Sequence, residues 1–266
     1  MPTLTGNNRR REQRLQELML LRISQQFERR LSREISRAMR EAATALDNGA
    51  VSPGDAIRER HDRNITRLLN SVWSRAINDM AEHMLGTRRS WAGKMERKQE
   101  DEFDADAFLR LWVATEGVTK VRRITNTTQE NIRRIIEQGA REGLGQREVG
   151  KLIRDSSPSI AAARSQVIAR TEVHSASQAT AQRVAEDTGV EMRRVWVSSQ
   201  GERTRSIADG AMFDHLGADG QTVGMNQPFV IEGIRGDEEL RYPGDPQGSA
   251  GNIINCRCCV VFEVVQ

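Results

Sequence analysis

The chain has 266 residues and a mass of 29.9 kDa, enough for one large domain or two ordinary ones with a core of their own. Hydrophobic residues make up 37%, charged residues 29% and aromatics 4%, which predicts extended helical or partner-covered surface, and no apolar run reaches the ~20 residues of a membrane helix. The cysteines, Cys256, Cys258 and Cys259, crowd into one short segment, so a disulfide-framework fold is excluded and a reducing, cytosolic history is expected; Met1–Glu12 holds no apolar signal segment.

Charge is uneven. Residues 1–150 carry 28 Lys+Arg against 22 Asp+Glu, and residues 151–266 carry 12 against 15. The first 40 residues hold 10 arginines and 4 glutamates. Arginine suits bidentate pairing with phosphate. Arg9, Arg10, Arg11 and Arg14 are therefore candidates for contacts with duplex DNA phosphates; the plainer alternative is a solvated helix face. The scarcity of aromatics argues against a single-strand stacking platform.

Residues 1–13 read as a disordered basic tail. From Leu15 a helix is predicted through Phe27, Leu31, Ile35, Met39, Ala42 and Leu46, stopped at Asp47-Asn48-Gly49. A second opens at Ser52-Pro53 and runs through Ile57, Ile65, Leu68, Leu69, Val72, Ala76, Met80 and Met84 to Gly86. Thr87–Asp106 is highly charged, a linker or a poorly packed helix, and helical pattern resumes over 103–121. Thr127 and Glu130 fit a capping box that opens a helix ending near Gly143. A short helix is expected over 146–154, then a break at Ser157-Pro158-Ser159, then an Ala-rich helix over 160–188 closed by Gly189. Strands are expected at Met192–Ser198, Phe229–Ile231 and Cys258–Val265, with Asp219-Gly220 in a tight turn; the 10 glycines in residues 201–251 exclude helix there. The fold class is a mainly α amino-terminal half with a small α+β carboxyl-terminal domain, its long Ala-rich helix packed on a small antiparallel sheet with long loops.

Chemistry-bearing residues gather in the last hundred positions: Arg170-Thr171-Glu172 with His174, then Trp196 to Arg205, then His215 to Val223, then Pro243-Gly244-Asp245 and Asn255-Cys256-Arg257-Cys258. Three readings stand side by side. Arg170, Glu172, Glu202 and Arg205 form a polar network that ties loops to the helix, because loop backbone groups need partners. Alternatively, His215, Cys256 and Cys258 hold zinc, with a fourth ligand from His174 or an acid; the plainer expectation is no metal and no cofactor, with three buried thiols. In the third, Arg170, Glu172 and His215 are catalytic groups of a nuclease or transferase, His beside carboxylate being suited to acid–base work.

The ordered set Ala-Arg-Thr-Glu, Trp, Arg-Thr-Arg, His…Asp-Gly-Gln, Pro-Gly-Asp and Asn-Cys-Arg-Cys resembles the phage Mu protein F-like family of minor head (head morphogenesis) proteins, over about Ile124 to Val265. The resemblance carries over to Arg170, Thr171, Glu172, Trp196, Arg203, Arg205, His215, Asp219, Gly220, Asn255, Cys256 and Cys258. Glu202 stands where the family usually shows Asp, residues 206–214 are extra before His215, and Cys259 is outside the pattern. The resemblance implies a structural, non-enzymatic virion protein at the portal vertex or inner capsid, passing through the host cytoplasm during assembly. Its implied partners are the portal protein, the major capsid or scaffolding protein and double-stranded DNA, with no membrane. The enzyme alternative then takes the form of a nuclease or an ADP-ribosyltransferase-like toxin domain. The division expected is a tail over 1–13, a helical docking region over 14–123 and a head morphogenesis domain over 124–266.

Overall fold

The computed structural model describes residues 6–92 and 103–265. Five long or medium helices come first: α1 (Gly6–Asp47), α2 (Pro53–Ala92), α3 (Ala105–Trp112), a π segment (Val113–Gly117) leading into α4 (Val118–Arg141), and α5 (Gln146–Asp187). Then follow β1 (Met192–Val197), a 3-10 turn (Ile207–Asp209), β2 (Thr222–Gly224), β3 (Phe229–Ile231), β4 (Glu238–Leu240), α6 (Ala250–Ile253) and β5 (Cys259–Val264). The fold class is as expected: helical first, then a small antiparallel sheet with long loops.

Helix ends follow local chemistry. At the end of α1, Gly49 adopts φ +92° while its N–H bonds Leu46 O and the Ala50 N–H bonds Ala45 O. That is a Schellman cap, with a glycine where an L side chain would be strained. The end of α4 repeats it, with Gly143 N–H to Ala140 O and Leu144 N–H to Gly139 O.

Several expectations are corrected. Residues 6–13 are not a disordered tail but the first turns of α1. Gly86 does not stop α2, which runs on to Ala92; one glycine costs only about 1 kcal/mol in a helix. Of the charged stretch from Thr87 to Asp106, residues 93–102 lie outside the described residues. Thr127 is not an N-cap: it lies inside α4 and donates to Arg123 O at 2.8 Å, while Glu130 pairs with Arg133 and Arg134. The break expected at Pro158 is absent, and one helix of 42 residues spans both predicted ones. Proline removes the N–H that would bond Arg154 O. Ser157 Oγ donates to that carbonyl instead, at 3.0 Å. Strands β2 and β4 were not anticipated; each has three residues.

The chain forms two compact units, each built from discontinuous stretches of the sequence. One unit comprises Ser24–Val72 and Arg110–Ala169. Its core is built from Phe27, Leu31, Ile35 and Met39 of α1, Ile57, Ile65 and Leu69 of α2, Ile124 and Ile132 of α4, and Ile153 of α5. The α1 and α2 stripes belong to the helical docking region expected over 14–123, and here they are buried within the chain. A polar network crosses that core. Glu34 Oε1 faces His61 Nδ1 at 3.1 Å and accepts from Asn64 Nδ2 at 3.1 Å; His61 Nε2 lies 3.2 Å from Thr128 Oγ1, which accepts from Arg164 at 2.7 Å. Burial pushes the Arg164 guanidinium down to about 10.

The other unit comprises the described residues of Met1–Ile23, Trp73–Leu109 and Arg170–Gln266. Its sheet has the order β2-β1-β5, antiparallel throughout, with Trp196 opposite Val260 and Val195 opposite Val261. Strand alternation puts Val195, Val197, Cys259 and Val261 in one apolar cluster. Trp196, on the opposite face, stacks edge-on against Phe229 at 5.5 Å and His215 at 5.4 Å. A separate hairpin pairs β3 with β4. The carboxyl-terminal part of α5 is tied to the sheet by Gln178 Oε1, which accepts the Val260 N–H at 2.9 Å, and by Gln182 Oε1, which accepts from Arg194 at 3.0 Å.

Candidate functional site

The segment before β5 is held against α5 by the residues that the sequence singled out. Asn255 sits at φ +61°, a left-handed conformation asparagine tolerates better than most residues. Its N–H donates to Thr171 Oγ1 at 2.9 Å, and its Oδ1 accepts from Arg170 Nη1 at 2.5 Å. Arg205 donates to the neighbouring Ile254 carbonyl. Two arginines and a threonine thus fix the loop entering β5. This is the loop-tying network in altered membership, because Glu202 is exposed and Glu172 instead accepts the Trp73 indole N–H at 3.1 Å.

That loop presents two thiols. Cys256 and Cys258 precede β5 rather than lying on it, and both are buried. Their Sγ atoms lie 3.6 and 3.5 Å from His215 Nδ1. The ring is oriented from its far side: Nε2 is 2.8 Å from Asn252 Oδ1, and Asn252 Nδ2 donates to Glu238 Oε2 at 2.5 Å. The glutamate accepts the amide NH2, so the amide oxygen faces the ring. Nε2 therefore carries a proton, and Nδ1 faces the two sulfurs.

Electrostatics separates the three cysteines. A hydrogen bond with Cys258 pulls Cys256 well below the ordinary thiol value against its burial, helped by His174 and His215. Cys258 is pushed up by Cys256 and by burial, partly relieved by a hydrogen bond from the Ser199 backbone. Cys259 is pushed up by burial. His174 is 3% exposed, and its Nε2 has no hydrogen-bond partner among the described residues. Gly244 comes so close to it that a Cβ there would stand 2.7 Å from His174 Cδ2; with φ +80° as well, only glycine fits.

The remaining predicted residues fall in three places. Asp219 caps the end of β1, its Oδ1 accepting the Ser198 N–H at 2.8 Å, while Gly220 at φ +82° bonds Trp196 O. Arg203 is exposed. Of the four arm arginines, Arg9 pairs with Glu263 at 2.6 Å and Arg10 with Asp219, whereas Arg11 and Arg14 are exposed. The suggested catalytic residues have different partners: Arg170 bonds Asn255, Glu172 bonds Trp73, and His215 bonds Asn252 and faces the thiols.

Sequence reasoning missed Glu238, Asn252, Gln178 and Arg194. Asn252 and Glu238 carried no signal, since an amide and an acid in loops are ordinary. Gln178 carried none either, one polar residue among many on its helix, whereas Arg194 carried one, a charged residue in a predicted strand beside Val195, Trp196 and Val197.

The fold and these ties define a class: a small antiparallel sheet whose loops are tied to one long helix by Arg-Thr and Asn-Cys-Arg-Cys motifs. Residues 130–261 match the family model for phage Mu protein F like protein, and this part of the chain is a domain of that family. No curated protein and no solved structure matches the chain. The family suggests a phage head morphogenesis protein, a component of the virion. Among the described residues no helix is long and apolar enough to cross a membrane.

Proposed function

We propose that this chain is a structural assembly factor of the phage head that joins the portal vertex or inner capsid, and that it is not an enzyme. The family match over residues 130–261 carries this reading. Partner docking falls to a run of exposed leucines along α1, Leu15, Leu18 and Leu21, at 47%, 56% and 41% exposure. DNA contact, through phosphates alone, falls to Arg11 and Arg14.

The test is co-expression with the portal protein of the same phage. The expected result is co-purification, lost when Leu15, Leu18 and Leu21 are all changed to Ser with the circular dichroism spectrum unchanged. A folded wild-type chain that joins neither portal nor capsid proteins refutes the assembly reading. Point changes serve better than deleting residues 1–120, which would remove parts of both compact units.

A further inference from the structure

We propose that His215 Nδ1, Cys256 Sγ and Cys258 Sγ are ligands of a structural zinc ion, with His174 in the fourth position. Nothing in the family match assigns such a site, and the inference stands whether or not the assembly role does. Three observations carry it.

The first is the donor set. One imidazole nitrogen and two sulfurs, all buried, lie within 4.8 Å of one another. Thiolate and imidazole are the soft ligands zinc prefers. Zinc ligands at about 2.3 Å (sulfur) and about 2.05 Å (nitrogen) at tetrahedral angles stand about 3.6 Å apart. The nitrogen-to-sulfur separations are 3.6 and 3.5 Å.

The second is the support behind the histidine. Metal-ligating imidazoles donate their other N–H to an oxygen acceptor that fixes tautomer and ring plane. His215 does so to Asn252, which Glu238 orients. In a metal-free site Nδ1 can make a hydrogen bond with one of the two sulfurs at a time. A cation satisfies all three groups together.

The third is His174, buried, with an Nε2 that has no partner among the described residues; its nitrogens are not among the donors that lie within 4.8 Å of one another, so the ring would have to turn toward the ion to take the fourth position. An unpaired buried imidazole nitrogen costs free energy that a metal bond would recover. Cys259 is excluded from the set: it faces Val195, Val197 and Val261.

The full chain is purified without chelator and analysed by native mass spectrometry and elemental analysis. The expected result is about one zinc per chain. Replacement by Co2+ should give a thiolate-to-cobalt charge-transfer band. Cys256→Ser, Cys258→Ser and His215→Ala should each abolish stoichiometric metal, Cys259→Ser should keep it, and Asn252→Ala should weaken zinc affinity by about 10–100-fold in chelator competition. His174→Ala retaining wild-type affinity overturns the fourth ligand. The wild-type measurement does not depend on any variant folding. A folded wild-type chain that carries no zinc and takes up neither Zn2+ nor Co2+ overturns the site. So does cobalt uptake with no thiolate band, or a chain 2 Da lighter than its sequence through a Cys256–Cys258 disulfide.

Discussion

Arg194 is the residue whose loss should cost the sheet region most. It lies in β1 at 2% exposure, with its guanidinium over the Phe229 ring at 5.2 Å. It donates to Gly224 O at 3.1 Å, to Gln227 O, to Arg241 O at 2.5 Å and to Gln182 Oε1 at 3.0 Å. One side chain therefore ties β2, the turn after it, the exit of β4 and helix α5 to the central strand. Arg194→Met keeps the apolar stem and removes every donor. Four acceptors then lose a partner, at about 1–3 kcal/mol for each that stays unsatisfied. The end of β2 is half-exposed, so water reaches part of the gap. Relief of guanidinium burial, which lowers the Arg194 pKa, returns some of the loss. The expected net destabilisation is about 3–5 kcal/mol. At about 2–4 °C per kcal/mol for a chain of this size, the melting temperature should fall by roughly 6–20 °C. Thermal unfolding followed by circular dichroism measures it. Arg194→Lys should recover less than half, because a single ammonium cannot span acceptors on four segments. A melting temperature for Arg194→Met within about 1 °C of wild type, where 1 kcal/mol alone predicts 2–4 °C, would refute the assignment of this side chain as the tie.

Two further outcomes follow from the same structure. Asn255→Gly keeps the left-handed backbone and loses the bond to Arg170, whereas Asn255→Ala loses both, so Ala should be less stable than Gly by about 1 kcal/mol in chemical denaturation; equal stabilities would remove the role of φ +61°. Burial raises the Glu12 carboxyl, but its hydrogen bonds from His83 and Gln16 win and hold it below 4.5, while the bond to Glu12 raises His83 above 6.5. The carboxylate contribution is present above 4.5 and lost as pH falls through the folded value, and the imidazolium contribution is present below 6.5 and lost as pH rises through its folded value. The stability gap between wild type and His83→Gln should therefore be widest between about pH 4.5 and 6.5 and shrink toward pH 9; a gap constant with pH contradicts the pairing.

The helical half was legible because its signal is periodic. Phe27, Leu31, Ile35 and Met39 recur at one helix face and are buried together. The misplaced boundaries share a physical cause: packing overrides local punctuation. Pro158, Gly86 and the Thr127–Glu130 pair all look like boundaries in a short window, yet each sits inside a helix that packing sustains. Beta strands of three residues carry too few positions for alternation to show, so β2 and β4 were invisible. The destination of the apolar stripes was also beyond a linear reading. A stripe says that something covers it, not whether the cover is another chain or a later helix of the same one.

The site was legible as residues but not as geometry, and α5 shows why. From Arg170 to Gln182 the helix is buried on nearly every side, yet it carries Thr171, Ser175, Ser177, Gln178, Thr180 and Gln182. A helix buried all round ordinarily reads as apolar. This one is polar because it faces loops and a strand whose backbone groups need partners that a three-stranded sheet cannot supply. Thr171 takes the Asn255 N–H, Gln178 takes the Val260 N–H, and Gln182 takes Arg194. Each bond joins residues at least 12 positions apart, and two join residues more than 80 apart, so no local pattern announces them. The bonds from Asn255 to Thr171 and from Val260 to Gln178 leave the segment between them little freedom to move relative to α5. Because Cys256 and Cys258 lie inside that segment, their approach to His215 is set by backbone ties on either side of them rather than by the thiols' own attraction for the ring.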